Sequence, residues 1–113
     1  ERLKVLRVVM TLLFVPLFLV GCTTPTADPV TVELHIPEGG FAQPLEEQID
    51  LGAEVTLLVT SEFDDRVHVH GYEFYVDAPA GETVESVFEA NMAGTYEIES
   101  HETDQVYMLL TVS

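Results

Sequence analysis

From Val30 to the C-terminus, apolar residues alternate with polar ones, and no stretch keeps a helical period over the length of an ordinary helix. In "TVELHI", Val32, Leu34 and Ile36 fall on one side, with Thr31, Glu33 and His35 on the other. "AEVTLLVT" repeats the pattern with Ala53, Val55, Leu57 and Val59 on one face. "GTYEIES" sets Tyr96 and Ile98 against Glu97 and Glu99, and "VYMLLTVS" turns Val106, Met108, Leu110 and Val112 inward. Period-2 side chains belong to strands with one buried face. "RVHVHGYEFYVD" follows the acidic turn "SEFDD", and "TVESVFEA" follows a Pro/Gly turn. "PEGGFAQPLEEQIDLG" reads as a turn-rich loop, with one helical turn over Leu45 to Ile49. Roughly seven short strands at regular spacing predict an all-β sandwich or barrel and exclude a βαβ fold.

The residues before this pattern are of another kind. Arg2, Lys4 and Arg7 precede an apolar run from Val8 to Val20 that contains Pro16. A basic start, a short apolar run and a small residue are export-signal features. The run is short of the roughly 20 residues that a membrane span needs. Leu19-Val20-Gly21-Cys22 resembles the bacterial lipobox, in which the cysteine is acylated and becomes the first mature residue. Residues 1–21 are therefore expected to be a lipoprotein signal peptide, with a lipidated Cys22 and a polar tether over 22–29 and one domain over 30–113. The competing reading is an uncleaved anchor helix ending in an incidental thiol. Cys22 is the only cysteine, so no intramolecular disulfide can form.

Charge narrows the partners. The chain carries four basic and 20 acidic residues, a net charge of −16. Arg2, Lys4 and Arg7 lie before Cys22, as does Glu1, so Arg66 alone faces 19 acidic residues from Cys22 onward, a net charge of −18. Such a surface repels nucleic-acid phosphates and anionic lipid heads and attracts cations. It serves equally as a solubility or high-salt adaptation, and by itself defines no ion site.

The order of motifs after Ala53 resembles the cupredoxin family. The resemblance is carried by "VHVHGYEF", by the turn "APAGETVESVFEA", by "AGTYEIESH" and by the closing strand "VYMLLTV". It implies a cupredoxin-like Greek-key β-sandwich. In that family the first motif holds the upstream copper histidine. The third ends at the cysteine ligand, and the following loop supplies a second histidine and often a methionine. The resemblance thus puts His70 at the upstream position and Ser100 at the cysteine position. Blue copper depends on a His₂Cys set with a thiolate bond. A serine hydroxyl stays protonated and is a poor ligand for such metals, so a blue-copper electron carrier is not expected. Met108 lies in a strand, where core packing is its expected role.

Four histidines remain to be placed. His68 and His70, at i and i+2, share one face of a strand, with Val67 and Val69 on the other. Two such imidazoles can reach one ion, and imidazole suits copper, zinc and nickel. His101 follows Ser100 and, under cupredoxin topology, is expected near the same end, flanked by Glu99, Glu102 and Asp104. The expected metal site is therefore His70, His68 and His101 with a carboxylate. The plainer alternatives are an exposed polar His68, a His70 bonded to a backbone carbonyl, and a His101 that is only a loop residue. His35, on the polar face of an early strand, has no partner in sequence.

No nucleophile elbow, phosphate-cradling glycine loop or free nucleophilic cysteine is present, so an enzyme is not expected. The expectation is a cell-envelope lipoprotein, held on a bacterial membrane by Cys22 and facing away from the cytoplasm. It would bind a metal ion, copper first, as a carrier or binding module, with no nucleic-acid partner. The rival is a metal-free interaction or structural module on the same scaffold, and a subunit of a larger membrane complex is a third reading.

Overall fold

The computed structural model describes residues 27–113 together with Pro16. The expected signal peptide, apart from Pro16, and Cys22 lie outside the described residues. Every regular element among the described residues is a strand: β1 (Val30–Ile36), β2 (Leu45–Ile49), β3 (Glu54–Ser61), β4 (Asp65–Val69), β5 (Phe74–Ala78), β6 (Thr83–Glu89), β7 (Gly94–Ser100) and β8 (Val106–Val112). They form a three-stranded sheet in the order β1-β3-β6 and a five-stranded sheet in the order β2-β8-β7-β4-β5. β1 pairs with β3, and β2 with β8, in parallel; the other neighbours are antiparallel. The chain therefore crosses between the sheets after β1, β2, β3, β5 and β6, as a sandwich requires.

Alternation explains the core. Val32, Leu34, Ile36, Val55, Leu57 and Val59 from the smaller sheet meet Val67, Val69, Ile98, Met108, Leu110 and Val112 from the larger one, all buried. Each such side chain contributes on the order of 1.5–3 kcal/mol of transfer free energy on leaving water. Met108, 1% exposed, takes the packing role expected of it.

There are eight strands, and the additional one is β2. Leu45 to Ile49 forms no helical turn: it extends along β8, from the pair Leu45↔Met108 to the pair Ile49↔Val112. Four of its five side chains are exposed and only Ile49 is buried, so no apolar period marks it. Its conformation comes from backbone pairing with a strand far along the chain, which local sequence does not record.

"RVHVHGYEFYVD" folds as two strands, β4 and β5, joined by a tight loop. The ladder of β4 with β5 closes at Val69↔Phe74, leaving His70, Gly71, Tyr72 and Glu73 in the turn. Gly71 has φ +83°, and a Cβ there would run into the Tyr96 ring, so glycine is required on both counts. Glu73 also has positive φ, at 56°. The Gly71 amide donates to Glu73 Oε1 at 2.8 Å and the Glu73 amide to the Val69 carbonyl at 2.9 Å, which fixes the turn.

Candidate metal centre

On β4 the side chains alternate between the two faces of the larger sheet. Asp65, Val67 and Val69 point inward and are buried, whereas Arg66 and His68 point outward. His68 is opposite Glu99 on β7 and Tyr75 on β5, so all three share the outer face. A register shift between Ile98 and Glu99 marks a β-bulge against β8. Bulges of this kind re-aim a side chain, and Glu99 turns toward His70.

The two imidazoles meet as their spacing predicts. Their ring centroids are 4.2 Å apart at 61°. His68 is pinned on its other side by Tyr75, stacked at 4.4 Å and 16°, and its side chain is only 12% exposed. The Arg66 guanidinium lies 4.3 Å from the Tyr75 ring centre and pairs with Asp77 at 3.3 Å. Each imidazole has its own carboxylate. His68 Nε2 donates to Glu73 Oε2 at 3.1 Å, and His70 Nε2 donates to Glu99 Oε1 at 2.5 Å. The His70 amide donates to the Glu97 carbonyl at 3.0 Å, carrying the β4–β7 ladder one residue into the turn.

These contacts place two overlapping donor groups around His70. His68, His70 and Glu73 form one; His70, Glu97 and Glu99 form the other. Within each group the ligand atoms lie within 4.8 Å of one another. Electrostatics follow from the pairing. The Glu99 hydrogen bond raises the His70 pKa above the ordinary histidine value, against a smaller opposing effect of burial, with further help from the charges of Glu99, Glu73 and Glu97. The Gly71 amide, then His68, holds the Glu73 carboxyl below the usual carboxylate range, against partial desolvation.

His101 belongs to neither group. It is exposed, its amide donates to the Arg66 carbonyl at 2.6 Å, and its ring meets the edge of Tyr75 at 5.5 Å. Tyr75 thus occupies the space between His68 and His101. The expected convergence of His101 with His70 is not what the fold provides, and antiparallel pairing is the reason. Val67 is opposite Ser100 and Val69 opposite Ile98, so His101 runs beside the start of β4 while His70 follows its end. His35 has a partner that sequence did not reveal: its Nε2 lies 3.6 Å from Glu62 on the strand-end loop.

At the start of β4 stands a second polar cluster. Ser100, 0% exposed, donates to Asp65 Oδ1 at 2.7 Å and accepts from the Glu102 and Thr103 amides at 3.1 and 3.0 Å. Asp65 Oδ1 also accepts from the Arg66 amide at 2.8 Å, and Oδ2 accepts from the Tyr107 hydroxyl at 2.6 Å. Burial first, and then the Asp65 carboxylate, push the Tyr107 hydroxyl pKa up. The residue beside Ser100 is therefore Asp65, and His70 does not take the upstream position that the family resemblance gave it. An open cavity of about 320 Å³ next to Tyr107 is lined by Glu38, Gly39, Gly40, Phe63, Thr103 and Gln105, with no imidazole or thiol. A thiolate copper centre does not fit here: the hydroxyl and carboxylate are consumed by internal bonds, and the described residues include no cysteine.

The sequence points to His68, His70 and Glu99 but gives no sign of the parts played by Glu73, Glu97, Tyr75 and Asp65. Glu73 was discoverable only as an acidic residue in a tight turn after the histidines. Glu97 alternates with Glu99, and the pairing of β4 with β7 alone brings it to His70.

No protein-family model matches the sequence, and no curated protein matches it. Solved structures do match in shape. A chain of a haem-copper terminal oxidase dimer is 22% identical with TM-score 0.58, over 74% of this chain and 64% of that one. A copper binding protein in the apo form is 11% identical with TM-score 0.60, over 74% and 86%. A mutant of amicyanin in the Cu(I) form is 20% identical with TM-score 0.52, over 74% and 82%. This chain spans 64% of the oxidase chain's length. At these identities the likeness is one of fold, and the fold is cupredoxin-like: a two-sheet β-sandwich.

Proposed function

We propose that this chain is a cell-envelope domain, lipid-anchored through Cys22, that binds a divalent metal ion, copper first, on the outer face of its five-stranded sheet. The observation that carries this reading is the pair of donor groups sharing His70. His70 would hold the ion either with His68 and Glu73 or with Glu97 and Glu99. Imidazole with carboxylate suits copper(II) and zinc(II), and copper(II) heads the usual order of affinities. An ion bound at Nε2 replaces the hydrogen that the ring now donates to its glutamate; a neutral ring keeps its proton on Nδ1, and a protonated ring releases one to water. The carboxylate that accepted this hydrogen bond is then placed to face the metal. The acidic surface raises the local cation concentration around the site.

The basic flank, apolar run and lipobox-like end support the anchor. One acyl chain holds a membrane only marginally, and several together hold it stably. An anchored domain exposing an open metal face suits a carrier or binding module.

The rival, a metal-free interaction or structural module, is favoured by one observation. The Asp65–Ser100–Tyr107 network closes the end of the sandwich where the family resemblance places copper. Titration of the untagged full chain with copper(II) and zinc(II) separates the two readings. The metal-binding reading expects one ion at about micromolar affinity or tighter, lost in His70→Ala. No binding, or binding untouched by His70→Ala, leaves the rival.

A further inference from the structure

We infer that the His68–His70 site discriminates oxidation state, taking copper(II) and zinc(II) and holding copper(I) weakly; the inference rests on the metal-binding reading above. Both donor groups consist of imidazole and carboxylate alone. Carboxylate oxygens are hard donors, whereas copper(I) is selected by thiolate and thioether sulfur. Sulfur is scarce around the site. The described residues include no cysteine and two methionines, Met92 and Met108. Met108 is sealed in the core at 1% exposure. Met92 lies in the turn between β6 and β7, where its carbonyl accepts from the Tyr72 and Tyr96 hydroxyls, outside both β4, which carries His68, and the turn that carries His70.

Charge acts in the same direction as hardness. Glu73, Glu97 and Glu99 surround His70, and Glu73 and Glu99 already touch the two rings. Their Coulomb attraction for a doubly charged ion is twice that for a singly charged one at the same distance. The two imidazoles alone could hold either form of copper. The carboxylates therefore set the preference, and the site is expected to lose copper when the ion is reduced.

The test uses the full chain without a histidine tag and three probes. Copper(II) and zinc(II) are titrated against a competing chelator; copper(I), kept reduced anaerobically with ascorbate, is titrated against a colorimetric copper(I) chelator. The expected result is copper(II) held about tenfold or more tightly than copper(I). Glu99→Gln and Glu73→Gln together should weaken copper(II) binding several-fold and leave copper(I) unchanged. Met92→Leu should alter neither. Equal or tighter binding of copper(I), or glutamine variants that weaken both forms alike, overturns the inference while the metal-binding reading stands. Failure to hold copper in either state overturns both, and so differs from equal binding.

Discussion

The two polar clusters of the five-stranded sheet occupy opposite faces of the same strands. Asp65 and Ser100 point inward; His68, three residues beyond Asp65, and Glu99, next to Ser100, point outward. In the inner cluster Asp65 accepts three hydrogen bonds, one of them from Ser100, which accepts two more from backbone amides. Among the described residues, no buried side-chain nitrogen or oxygen lacks a partner. The outer cluster satisfies each imidazole with a single glutamate and keeps further carboxylate oxygens in contact with water. Burial explains the contrast. A buried polar group left unpaired costs about 1–3 kcal/mol, so the inner cluster has to be complete. Water compensates the outer one, which leaves donor atoms free for an ion. Polarity at the inner end serves the fold, and polarity on the outer face can serve a ligand.

The largest expected effect lies at the inner end. Asp65→Ala strands the Ser100 and Tyr107 hydroxyls and should cost roughly 3 kcal/mol, a fall of about 15 °C in a melting curve of a domain this size. Copper binding by the folded fraction should be unchanged, because Asp65 is outside both donor groups. A Tm loss below about 3 °C would contradict the closed network.

On the outer face, His70→Ala removes the residue that both donor groups share, and copper(II) affinity should drop by more than about tenfold. His68→Ala should weaken binding less, since His70, Glu97 and Glu99 remain together. His101→Ala should leave it unchanged. Competition titrations of the three variants rank them directly, and a His101 effect as large as that of His70 would erase the distinction between the two sides of Tyr75.

Gly71→Ala sharpens the comparison through the turn that carries His70. A Cβ at positive φ, directed into the Tyr96 ring, should cost about 2 kcal/mol. It should also weaken copper binding, whereas Gly81→Ala, at φ +79° with open space around it, should cost less and leave binding alone. Urea midpoints of the two variants give the difference.

The smallest effect is electrostatic. The His70 pKa is raised in the folded state, so its stabilising increment is full below the ordinary histidine value of about 6.5. It is lost as the pH rises through the higher folded value. Both partners are partly exposed, so the increment should be about 0.5 kcal/mol or less. Metal-free protein should therefore gain slightly in stability on mild acidification, and Glu99→Gln should flatten that gain in pH-dependent unfolding.

Strands with one wet face and one buried face were legible in the sequence because their side chains record both environments, as in β1, β3 and β8. β2 was not, since four exposed side chains record nothing about its pairing with β8. The pairing of His68 with His70 was legible for the same reason of period 2. The position of His101 was not: the antiparallel register of β4 and β7, and the Tyr75 ring that fills the gap, are tertiary facts. The family resemblance marked Ser100 as the departure from a copper thiolate, but Asp65, its actual neighbour, became visible only when the strands were paired.

The central claim is that imidazole and carboxylate on the outer face, rather than the closed inner end, form the ion site. Copper(II) electron paramagnetic resonance on the untagged full chain tests it most directly, with His70→Ala and His101→Ala alongside. The account predicts one nitrogen- and oxygen-coordinated copper, without thiolate character, abolished in His70→Ala and preserved in His101→Ala. A signal indifferent to His70, or one that vanishes with His101, would contradict it.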